Sequence, residues 1–135
     1  MIHLTRRIEF SASHYYHNPA LSHDENQRLF GKCNNPHGHG HNYTLEVTVA
    51  GEIDPRTGMV LDLKELKKLL ETEVMDRMDH RFLNKEVLDF QTLIPTAENL
   101  AMVIWNLLAP KVSQGRLQRV RLYETSDLYV DYYGE

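Results

Sequence analysis

Apolar and polar residues alternate from position 2 to 14. Ile2, Leu4, Ile8, Phe10 and Ala12 fall on one side, His3, Thr5, Arg7 and Glu9 on the other, and Arg6 alone breaks the apolar side. A period of two marks a half-buried strand. The same period returns over residues 39 to 49, where Tyr43, Leu45, Val47 and Val49 share one face and Asn42, Thr44, Glu46 and Thr48 the other. Between these strands runs an excursion of more than twenty residues, rich in Asn, His and Gly, with one short helical candidate around Asp24 to Phe30. A connection that long inside a small domain is usually functional.

Farther along, Pro55 and Gly58 spell a turn, and Asp62 followed by Glu65 offers a capping box for a helix striped by Leu63, Leu66, Leu70 and Val74. Pro95 and Thr96 announce a second helix that runs through Leu100, Val103, Ile104, Leu107 and Leu108 and stops at Pro110. Leu117 to Glu124 and Leu128 to Tyr133 read as strands around a Ser126-Asp127 turn. The predicted order is ββααββ. It describes an α+β fold, with two one-sided helices on one face of a four-stranded antiparallel sheet. The other face carries Arg7, Glu9, Thr44, Glu46, Arg119 and Arg121, so it would meet solvent or line the inside of a ring. Exposed sheet edges in so small a fold invite pairing with further copies.

Composition narrows the class. A chain of 135 residues, 41% hydrophobic and 25% charged, suits a single domain over 1–135 and excludes a disordered tail or a disulfide miniprotein. The lone Cys33 cannot form an internal disulfide, and the opening MIHLTRRIEF has no export signal, so a cytoplasmic setting is expected. No run approaches the roughly 18 apolar residues that cross a bilayer. With a net charge of −4 and scattered basic residues, no footprint for nucleic acid is present.

Histidine changes the picture, because six of the eight (His14, His17, His23, His37, His39 and His41) lie between positions 14 and 41. On a strand His39 and His41 point to one side, whereas on a helix they would diverge by roughly 200°. Counting along the alternation puts both on the face of Tyr43 and Leu45, and puts His14 on the face of Phe10 and Ala12. Antiparallel pairing of the two strands then brings three imidazoles to one end of the apolar layer. Burying three unpaired imidazoles costs desolvation without return, while three neutral imidazoles with an open fourth position describe a catalytic zinc site. Cys33, in KCNNPHGHGHNY, could be a fourth ligand, a base or nucleophile beside the metal, or a small buried hydrophobe. Asp79 and His80 in MDHRFLN could pair or stand solvated. Glu124 points toward the apolar layer, where it would meet either a ligand carrying two N–H groups or a neighbouring arginine. His17 and His37 are left as supporting or solvated residues, and His3 and His23 as surface residues.

Taken together, RRIEFSASH, LFGKCNNPHGHGHNY, GEIDPRTGMVLDL, MDHRFLN, TAENLA and YET make nearly the whole chain resemble the 6-pyruvoyl-tetrahydropterin synthase and 6-carboxytetrahydropterin synthase family of tunnelling-fold enzymes. The resemblance implies trimers stacked as a hexamer, a barrel with sites at subunit interfaces. It also implies zinc (Zn2+) on His14, His39 and His41, Cys33 as the catalytic thiol, and Asp79 and His80 as its partner pair from a neighbouring copy. Glu124 looks like the pterin anchor, helped by Thr96 and Glu98; Ala97 stands where relatives commonly have a second Ser or Thr, which puts that polar contact in doubt. The implied reaction turns 7,8-dihydroneopterin triphosphate into 6-pyruvoyl-tetrahydropterin with loss of triphosphate, a lyase step of tetrahydrobiopterin biosynthesis that needs no nicotinamide. The carboxy-forming branch, which serves queuosine biosynthesis and releases acetaldehyde, typically has three residues between its cysteine and the HGH. Here Cys33 and His39 enclose five, which favours the pyruvoyl-forming branch. A zinc- and pterin-binding protein without turnover is a third reading, opposed by the joint presence of Cys33, Asp79 and His80.

Overall fold

In the computed structural model, which describes Met1–Glu135, strands β1 (Ile2–His14) and β2 (His39–Gly51) pair antiparallel along their full length, from Ile2↔Gly51 to His14↔His39. This is the pairing the two alternating segments predict. It sets the first and last histidines of the cluster directly opposite each other. Strands β4 (Arg116–Thr125) and β5 (Leu128–Tyr132) extend the sheet beyond β2, both antiparallel, with a register shift between Thr48 and Val49.

The sheet has five strands rather than the expected four, in the order β3 (Arg81–Phe82), β1, β2, β4, β5. The additional strand, β3, pairs parallel to β1 at Ala12 and Ser13, so the sheet is not wholly antiparallel. Two residues carry no readable period. They become a strand only because the chain passes the end of β1 at that point.

Within the excursion, α1 (His23–Phe30) starts on a capping box in which Ser22 accepts the Glu25 N–H and Glu25 accepts the Ser22 N–H. The loop before it is tied by the buried Asn26 side chain, which accepts the Asn18 N–H at 2.8 Å and donates to three backbone carbonyls. Helix α2 (Leu63–Leu70) is capped by Asp62, which accepts the Lys64 N–H at 2.9 Å; the Glu65 half of the expected box is not made. Its inward stripe is Leu66 and Leu70, continued beyond its end by the buried Val74, while Leu63 is exposed. A π-helical turn (Glu71–Met75) continues α2 into the short α3 (Asp76–Met78). There the buried Glu73 carboxylate is paired with Lys111 and Arg77. After β3 come the short α4 (Leu83–Glu86) and then α5 (Ala97–Leu108), capped by Thr96 as expected.

Helices and sheet enclose one apolar cluster of 24 buried residues, in which Leu100, Ile104 and Leu108 of α5, lying over β4 and β5, and Tyr43, Leu45 and Val47 of β2 are all fully buried. The opposite face is polar as predicted, but organised by pairing. Glu46, only 8% exposed, lies between Arg7 and Arg119, and Arg121 grips Asp131 with two hydrogen bonds of 2.7 and 2.9 Å. No helix is long and apolar enough to cross a membrane.

Candidate active site

The β1–β2 register makes the site. His14 closes the ladder opposite His39, and His41 stands opposite Ala12, so all three imidazoles emerge on the helix-covered face at one end of the sheet. Their candidate ligand atoms all lie within 4.8 Å of one another. Gly38 turns the chain into β2 with φ of 76°, and a Cβ there would press on the His14 carbonyl at 3.2 Å, so glycine suits both the backbone and the close approach.

His14 is completely buried, and its Nδ1 lies 2.9 Å from the Pro95 carbonyl and 3.0 Å from the Tyr43 hydroxyl. An Nδ1–H donated to that carbonyl leaves Nε2 as a free lone pair, the arrangement usual for a metal-bound histidine. His14 Nε2 and His39 Nε2 are 3.2 Å apart, close to the roughly 3.3 Å between two nitrogens bound tetrahedrally at about 2.0–2.1 Å from zinc. His41 Nε2 is buried with no hydrogen-bond partner, although Glu124 Oε1 stands 3.0 Å away outside bonding geometry. An orphaned nitrogen among three converging imidazoles is what a divalent cation would satisfy. Burial, followed by the neighbouring His39 and His41, pushes His14 down to about 4, and burial also lowers His41 against the opposing pull of Glu124. Both are therefore neutral near pH 7, the form in which imidazole binds metal.

Glu124 sits on β4 at the rim of this cluster, against His41 and 3.5 Å from the Tyr16 hydroxyl. Of the two partners considered for it, the structure supplies no arginine. Cys33 lies half-buried on a 3-10 turn (Gly31–Asn34) whose carbonyl accepts the Tyr16 N–H at 2.8 Å. Its thiol does not belong to the group of mutually close ligand atoms. Burial and then Glu124 push that thiol up; a cation on the three imidazoles would act in the opposite sense.

Thr96 spends its hydroxyl as the α5 cap, accepting the Asn99 N–H at 3.2 Å, and Glu98 is exposed in the first turn of α5, with its charge acting on Tyr16. Asp79 and His80 do form a pair, with Oδ1 to Nδ1 at 3.0 Å. The pair is held to β1 by Ser11, whose N–H reaches Asp79 at 2.9 Å and whose carbonyl accepts the His80 N–H at 2.6 Å. His80 is left-handed, with φ of 62°, and its side chain is 82% exposed. No hydrogen bond or ion pair joins it to Cys33 or the three imidazoles of its own chain.

Of the remaining histidines, His17 approaches the Asn34 amide at 3.1 Å, while His3, His23 and His37 are exposed. Sequence reasoning missed Tyr16, whose ring packs edge-on against His14 with centroids 4.9 Å apart. The signal was available, since one more step of the β1 alternation carries the site face from His14 to Tyr16.

Comparison with known proteins identifies the family. The family model described as 6-pyruvoyl tetrahydropterin synthase matches residues 3–135. The 6-pyruvoyl tetrahydrobiopterin synthase of Homo sapiens is 50% identical over 132 residues, covering 98% of this chain and 91% of that protein. The 6-carboxy-5,6,7,8-tetrahydropterin synthase of Rickettsia bellii is 30% identical over 150 residues, covering 97% of this chain and 99% of that protein. The solved structure of 6-pyruvoyl tetrahydropterin synthase from Caenorhabditis elegans superimposes with a TM-score of 0.95 at 42% identity, over 99% of this chain and 96% of that one. A fold shared at that level, a match along nearly the whole chain and the three-imidazole end of the sheet agree on one conclusion: this chain belongs to the 6-pyruvoyl tetrahydropterin synthase family.

Proposed function

We propose that this chain catalyses the zinc-dependent conversion of 7,8-dihydroneopterin triphosphate to 6-pyruvoyl-tetrahydropterin, with elimination of triphosphate. The observation that carries the reading is the convergence of His14, His39 and His41 within 4.8 Å, beside the Glu124 carboxylate. Those three imidazoles would hold the ion. Bound there, zinc would act as a Lewis acid toward the side-chain hydroxyls, making neighbouring C–H and O–H protons easier to remove.

The chain's own residues divide the remaining work. Glu124 accepts hydrogen bonds from the pterin amino group and adjacent ring N–H, and Thr96 and Glu98 help to hold the pterin; charge-assisted bonds of this kind fix orientation. Cys33 moves protons at the side-chain carbons, and His80, oriented by Asp79, completes the relay. The exposed Asp79–His80 pair serves the site of a neighbouring copy, in a hexamer built as a dimer of trimers. Its exposure, and the lack of any hydrogen bond or ion pair to its own chain's imidazoles, support that assignment. A cytoplasmic setting accompanies the reading, in keeping with a single unpaired cysteine.

Incubation of the zinc-loaded protein with 7,8-dihydroneopterin triphosphate tests the proposal. Triphosphate and the diketo tetrahydropterin are expected, without stoichiometric acetaldehyde. Acetaldehyde rising in step with substrate loss would move the chain to the carboxy-forming reaction, and retention of the pterin without turnover would make it a binding protein.

A further inference from the structure

The motif MDHRFLN contributes more than Asp79 and His80. Strand β3 pairs with β1 at Ala12 and Ser13 and then turns into α4, so the ladder stops before it reaches Tyr15. The polar groups of Tyr15 are nevertheless both bonded. Asn84 Oδ1 accepts the Tyr15 N–H at 2.9 Å, and Asn84 Nδ2 donates to the Tyr15 carbonyl at 2.9 Å. A carboxamide has a donor and an acceptor side by side, as a peptide group does. Asn84 therefore supplies one more rung of the sheet from a side chain.

That rung falls at a sensitive place. The Tyr15 N–H belongs to the peptide plane shared with His14, and the Tyr15 carbonyl to the plane shared with Tyr16. Two bonds from one side chain thus fix the backbone on both sides of Tyr15. His14 is the buried imidazole of the cluster, and Tyr16 packs on it and reaches toward Glu124. From the other side the thiol-bearing turn holds the same stretch, through Tyr16 N–H to the Cys33 carbonyl at 2.8 Å and Asn34 Nδ2 to the Tyr16 carbonyl at 2.7 Å.

We infer that Asn84 is a positioning residue for the three-imidazole centre, aligning His14 through the Tyr15 peptide. The inference rests on the reading of that centre as a metal site. Groups that orient metal ligands typically matter by about 10–100-fold in metal affinity, and site geometry tolerates only about 0.5 Å of error.

The test measures Co2+ binding to the full-length protein, by its visible ligand-field absorption and by chelator competition, alongside thermal unfolding. Asn84→Leu, which loses both bonds at similar size, is expected to bind Co2+ about 10–100-fold more weakly, with an altered absorption spectrum. Asn84→Asp keeps the acceptor for the Tyr15 N–H and is expected to recover part of that loss. Should Asn84→Leu fail to fold, Asn84→Asp, which loses only the donor to the Tyr15 carbonyl, is expected to bind Co2+ more weakly than wild type, and equal affinity and spectrum would overturn the inference. A variant of lower Tm whose Co2+ affinity and spectrum match wild type would overturn the inference and leave Asn84 as a structural tie only. Wild-type protein that takes up no Co2+ would overturn the metal reading and this inference with it.

Discussion

His14 has no solvent exposure and three ring neighbours, Tyr16, His39 and His41, with centroids within 5.1 Å. Its imidazole titrates at about 4 in the fold, against roughly 6.5 in an unfolded chain. Between those values the unfolded chain binds more protons than the folded one, so acidification through that window destabilises the fold; above about 6.5 the penalty is absent. His41, also lowered, adds an effect of the same sign. The metal-free protein is therefore expected to lose Tm from about pH 7 to about pH 5, with a shallower slope in His14→Asn. Equal slopes would show that His14 is not the titrating group. The three histidines were readable in sequence because strand alternation fixes side. Alternatives for Cys33 stayed open, since a turning loop has no period and only its tertiary path decides how near the thiol comes to the imidazoles.

Among the elements, α5 links stability and site through its first residues. Thr96 caps it, and Pro95, one residue earlier, supplies the carbonyl that meets His14. Thr96→Ala is expected to cost about 1 kcal/mol in urea unfolding, and Thr96→Ser only a few tenths. Equal losses in the two variants would assign the effect to the methyl group and not to the cap. Long elements declared themselves in the sequence: β1, β2, α2 and α5 follow from period, caps and prolines. Three features did not. β3 is two residues long, the Leu63 position belongs to the stripe by count but faces outward at the start of α2, and Glu73 looks like part of a solvated run until Lys111 and Arg77 close on it.

At the scale of the whole molecule, one chain holds the imidazoles and Cys33 at one end of the sheet and presents Asp79–His80 outward on the far side of β1. If each site takes its thiol from one copy and its histidine from the next, Cys33→Ala and His80→Ala proteins should each be inactive. Mixed assemblies formed by co-refolding should regain activity at about a quarter of their sites, the statistical share for random mixing across a heterologous interface. Mixtures as inactive as their parents would place both residues in the same chain's site. The exposed β5 side chains Leu128 and Tyr129 lie along an edge strand of the kind such assembly covers.

What the sequence determined alone was local and periodic. Alternation by two put His14, His39 and His41 on the apolar side of their strands, and helix period with capping residues marked the elements that cover that side. What only the tertiary structure decided depends on contacts between residues far apart in the chain. Those are the Glu124 carboxylate beside His41, the Pro95 carbonyl on His14, the parallel rung of β3 and the Asn84 amide that extends it. Period records which way a side chain points, because backbone geometry repeats. It carries no record of what meets that side chain across the fold, since that is set by how the whole apolar layer closes.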